Sequence, residues 1–72
     1  MSKASHQCVQ EQAKLALASS PIYALRELCV EQNADALLIS GRVDTYYHKQ
    51  LAQEVVRAVA DGCRVVNDID VD

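Results

Sequence analysis

Apolar residues recur along this chain at two different periods. From Cys8 to Ala18, Val9, Ala13, Ala16 and Leu17 fall at helical spacing, with Gln10, Glu11 and Lys14 elsewhere, which predicts a first amphipathic helix. Ser19-Ser20-Pro21 should end it near Ala18 or Ser19, because proline disfavours a helical residue before it and cannot continue the ladder. Between Leu25 and Gln32 the period changes to two. Leu28 and Val30 alternate with Glu27, Cys29 and Glu31, as in a strand. Asn33-Ala34-Asp35 suits a turn. Leu37, Ile39, Gly41 and Val43 then continue at period two, with Leu38, Ser40 and Arg42 opposite, completing a hairpin with a half-buried second strand. The stretch ALRELCVEQNADALL also contains strong helix formers, so a helix is the competing reading; the alternation after Asp35 favours strands.

Asp44 or Thr45 can cap a second helix. His48, Leu51, Ala52, Val55 and Val59 form its apolar stripe, and Val56 widens it. Gln50, Gln53, Glu54 and Arg57 are expected to face water. Asp61-Gly62 ends this helix, with Gly62 suited to a left-handed backbone. Val65, Asn67, Ile69 and Val71 then alternate with Val66, Asp68 and Asp70 in a third strand. The order is helix, strand, strand, helix, strand. It predicts an α+β fold: a three-stranded mixed sheet with two helices on one face. Gly41 falls on the covered side of its strand, so its lack of a side chain implies a close neighbour there. Residues 1–7 are polar and read as a disordered N-terminal tail, with a single domain over 8–72.

Composition narrows the function more than it defines it. The 72 residues allow one small domain, and 50% hydrophobic content argues against disorder. Ten acidic residues against seven basic give a net charge of −3, which disfavours general binding to nucleic acid or anionic membranes. Three cysteines without a C-x-x-C pair fit neither a disulfide scaffold nor a structural zinc site. MSKASHQCVQEQ lacks the apolar core of a signal peptide, and no run reaches transmembrane length. The expected location is therefore the cytoplasm, or the periplasm if the sequence is part of a longer protein.

The segments ALLISGRVDT and DGCRVVNDIDV, separated by the second helix, resemble the BON domain (bacterial OsmY and nodulation domain). Ile39-Ser40-Gly41-Arg42-Val43 matches that family's Leu-Ser-Gly-x-Val strand end. Gly62, Val65 to Asn67, Ile69 and Val71 match its Gly-Val and Val-x-Asn-x-hydrophobic-x-Val elements, with Cys63 in place of the usual valine. Gly41, Val43, Gly62 and Asn67 are thus the structural motif the resemblance marks, over a span of about Val9 to Val71. The resemblance implies a non-catalytic module without cofactors, associated with phospholipid or membrane surfaces and envelope maintenance. Many members of the family carry a secretion signal and a second domain.

Three constellations remain. A Cys–His–Asp enzyme would need Cys29 or Cys63 beside His6 or His48, but these fall on strands, strand edges, a tail and a helix, and no enzyme is expected. Asp68, Asp70 and Asp72 alternate about 6.5–7 Å apart along one strand face, too sparse to cage a cation, so no metal is expected; a pairing of His6 with Cys8 is the other metal candidate. Arg42, Tyr46, Tyr47 and Lys49 cluster where the second strand meets the second helix. Tyrosines beside cations suit a headgroup or partner surface, and these four are the candidate binding residues. The alternative has solvated charges, with Tyr47, four residues before Leu51, completing the core. Nucleic acid is not an expected partner: KH domains share the element order but clamp RNA with a Gly-x-x-Gly loop that this chain lacks. The competing function is a soluble protein-interaction or self-assembly module without lipid affinity, including weak homo-oligomerisation.

Overall fold

The computed structural model describes residues 5–72, with side chains from Val9 onward. Helix α1 (Ser5–Ala18) leads into a short 3-10 helix (Tyr23–Glu27), strands β1 (Cys29–Asn33) and β2 (Ala36–Val43), helix α2 (Tyr46–Val59) and strand β3 (Arg64–Val71). The fold is α+β, with a three-stranded sheet in the order β1-β2-β3. β1 and β2 are antiparallel, whereas β3 joins β2 in parallel, so the sheet is mixed and α2 is the crossover between its parallel strands. Backbone bonds at 2.9 Å from Arg64 N–H to Asp35 O and at 2.8 Å from Asp72 N–H to Val43 O extend the parallel ladder past both ends.

Alternation decides what each sheet face does. Val30 pairs with Ile39, which pairs with Asn67, and Leu37 pairs with Val65. These residues point at the helices, where Val30, Leu37, Ile39 and Ile69 are buried with Val9, Ala13 and Leu17 of α1 and Ala52 and Val56 of α2. The opposite face carries Glu31, Leu38, Val66, Asp68 and Asp70 and has no layer above it among the described residues.

Several expectations shift. α1 starts at Ser5 rather than Cys8, and the rest of the predicted tail, residues 1–4, lies outside the described residues. The first strand begins only at Cys29. The segment before it winds through the 3-10 helix, where Leu25 N–H bonds Ile22 O at 3.0 Å and Leu28 N–H bonds Leu25 O at 3.3 Å. That winding sends Leu25, fully buried, into the core. In α2 the buried row is Ala52-Val56-Ala60, with Leu51, Val55, Val59 and His48 on its flank. The stripe is therefore turned towards Gln53, which is half-buried and accepts a bond from Asn67 instead of facing water.

The chain reverses in two ways. At the hairpin, Ala34 takes φ 58°, at the position where a type II′ turn needs a positive angle. At the end of α2, Asp61 and Gly62 take φ 52° and 91°, and Cys63 N–H bonds Ala60 O at 3.0 Å, which matches a type I′ turn. Gly41 meets the expectation of a close neighbour: a Cβ there would lie 2.7 Å from Leu28 Cδ2, and its φ of 132° adds a second reason for glycine. The neighbour is the side chain of Leu28, between the 3-10 helix and β1.

Candidate binding surface

β2 ends at buried Val43, and Thr45 starts the next element with an extended φ/ψ of −142°/153°. Its Oγ1 accepts the His48 N–H at 3.1 Å and caps α2. Asp44, one residue earlier, brings Oδ1 to 3.3 Å from His48 Nδ1. Together these bonds fix the first turn of α2 and send its first two side chains outward.

Tyr46 is 73% exposed and Tyr47 66% exposed. Tyr47 therefore does not complete the core, as the alternative reading had it; its ring stands 5.7 Å from that of His48. The stripe turned towards Ala52 and Val56 carries Tyr47 away from the sheet. Lys49 Nζ sits 5.8 Å from the Tyr46 ring centroid, within cation–π range. Tyr46, Tyr47 and Lys49 thus form one aromatic and cationic surface.

Arg42 lies across the joint between β2 and α2, on the open side of the sheet. It lines a shallow recess of about 370 Å³ with Ala24, Glu27, Val43, Asp44 and Asp72. Three carboxylates therefore share the recess with its guanidinium. Arg42 and Asp70 are Cα partners across the strands, yet no ion pair closes between them. The structure groups three of the four candidates and places the fourth in acidic surroundings.

The motif residues have structural duties. Gly41 and Gly62 supply the backbone angles given above, and Val43 fills the core. Asn67 Nδ2 donates to Lys49 O at 3.0 Å and to Gln53 Oε1 at 3.1 Å, while its Oδ1 accepts Ile69 N–H at 3.2 Å. It pins α2 to β3 from inside.

The enzyme constellation does not assemble among the described residues. Exposed Cys29 is on the open sheet face, whereas His48 belongs to α2 on the covered face. Cys63 follows the far end of α2, which ends at Val59, about 16 Å along the axis from His48 at 1.5 Å per residue. No group of three His, Cys, Asp or Glu side chains is placed to hold a metal ion among the described residues, and the side chains of His6 and Cys8 lie outside them. No described helix is long and apolar enough to cross a membrane.

Arg57, expected only to face water, and Arg64, which the sequence did not single out, line a recess of about 430 Å³ with Gln53, Cys63 and Val65 at the turn end. Compared with protein-family models the chain matches none, and no curated protein matches it.

Proposed function

We propose that this chain is a non-catalytic binding module of BON type that contacts phospholipid headgroups through the first turn of α2. The observation that carries the reading is the pair of exposed tyrosine rings, Tyr46 and Tyr47, held by a capped helix start beside Lys49. A tyrosine has an apolar ring for the interfacial region and a hydroxyl for water. A lysine near an anionic surface contributes about 1 kcal/mol. With one lysine in the cluster and Arg42 among carboxylates, the module binds weakly and gains affinity when several copies or domains engage together. The motif around Gly41 and Asn67 supports the BON-type assignment.

The test is an amide chemical-shift titration with small anionic and zwitterionic vesicles. Signals of Tyr46, Tyr47 and Lys49 should broaden with anionic vesicles, and added salt should reduce the effect. Replacing both tyrosines by alanine should weaken vesicle binding severalfold. No response to either lipid overturns the reading. The net charge of −3 and the uncovered sheet face favour the second reading, a protein-interaction module without lipid affinity, which that negative result would select.

A further inference from the structure

The open face of the sheet has a charge pattern that complements itself. The strand registers arrange it in rows: Asn33, Ala36 and Arg64; then Glu31, Leu38 and Val66; then Cys29, Ser40 and Asp68. The middle row holds two aliphatic side chains, of which Val66 is 39% exposed and Leu38 half-buried. A cation stands two residues before Val66 and an anion two residues after it.

We infer that this face associates with a second copy of the same chain. The two-fold axis lies between the faces, at right angles to the strands and through the Leu38–Val66 row. Rotation about it sets Arg64 of one copy over Asp68 of the other, twice. It stacks Leu38 and Val66 on their own counterparts and places Ala36 over Ser40. Sheets packed face to face lie about 10 Å apart, a gap that aliphatic side chains from both sides fill and that arginine and aspartate bridge. Glu31 meets its own counterpart at the β1 rim, where water and salt screen the repulsion. Arg42 and Asp70 fall beyond the paired rows.

The size of the face sets the strength. Three strands about 4.8 Å apart and the five residues that the paired rows span in each, at about 3.3 Å per residue, offer roughly 240 Å² per copy. A stable interface uses about 800 Å² per partner. The dimer is therefore weak, with dissociation expected at about millimolar concentration. The inference is independent of lipid binding, since Tyr46, Tyr47 and Lys49 take no part in it.

Sedimentation equilibrium up to millimolar protein tests it, with Arg64→Asp and Asp68→Arg as variants. Both positions are exposed, and circular dichroism checks that each variant folds. The unsubstituted chain should associate with concentration. Each variant alone sets like charges face to face and should associate at least tenfold more weakly. An equimolar mixture of the two restores both opposite-charge pairs and should recover association. Dilution of the unsubstituted, labelled protein gives a check without variants: amide shifts should move at Leu38 and Val66. The inference is overturned by a monomer at every concentration, by variants that associate unchanged, by a mixture that does not recover, or by dilution shifts centred on Tyr46 to Lys49.

Discussion

The two faces of the sheet are built from the same three strands, yet they differ in what they tolerate. The covered face presents Val30, Leu37, Ile39 and Ile69, each at most 2% exposed, to two helices. The open face presents Leu38 and Val66 among charges, in the same strands and one residue out of phase. Those four side chains have neighbours on all sides, so their volume and shape are fixed. On the open face, only the rim of each side chain is held. The covered face determines the fold, and the open face is left free to meet something else.

The largest expected contrast lies between neighbours. Ile39→Ala should cost about 2–5 kcal/mol by removing a buried side chain and leaving a cavity. Leu38→Ala should cost about 1 kcal/mol or less. Urea midpoints of the two variants measure this, and equal losses would break the distinction between the faces. A domain of this size has a total stability of only about 5 kcal/mol, so the first variant is expected close to unfolding at room temperature. The next contrast is Gly41→Ala against Ser40→Ala. Alanine at Gly41 must hold φ 132° and displace Leu28 Cδ2 from 2.7 Å, at roughly 1–3 kcal/mol. Ser40→Ala should stay within about 0.5 kcal/mol. A neutral Gly41→Ala would mean that Leu28 yields freely and that this glycine is not there for room.

How much of this was legible depends on side-chain size and on distance along the chain. β2, α2 and β3 followed from alternation, from the Thr45 cap and from Asp61-Gly62, all of them local signals. The 3-10 helix did not, because Leu25 and Leu28, three apart, fit a tight turn as well as a broken strand. What closes that turn is local but unpatterned: Ser20 Oγ accepts Ile22 N–H at 3.0 Å, and Ser20 O accepts Arg26 Nε–H at 2.8 Å. The rotation of α2 was hidden because Ala52 and Ala60 add little to an apolar pattern, although small residues let the helix sit close to the sheet. The tyrosine surface was marked by its place where the second strand meets the second helix. Its exposure depends on that rotation, and the acidic recess around Arg42 depends on Glu27 and Asp72, remote in sequence.

Asn67 is where the covered face departs from its own rule, and it offers the finest test of the comparison. It is an inward-facing polar residue whose three hydrogen bonds reach a helix carbonyl, a helix side chain and an N–H of its own strand. That N–H, from Ile69, has no strand beyond it to receive it, since β3 is an edge of the sheet. Asn67→Ala removes all three bonds from a half-buried site that water can partly enter, so the loss should be about 1–2 kcal/mol. Hydrogen exchange should show the Ile69 amide losing protection. Asn67→Asp separates the roles further. A carboxylate keeps the acceptor for Ile69 N–H, but it sets an oxygen against Lys49 O, which cannot turn into a donor. The aspartate variant should therefore protect Ile69 while loosening the first half of α2. Equal loss of protection at both places would show that Asn67 acts as one packed unit, and the polar exception would then obey the same rule as its apolar neighbours.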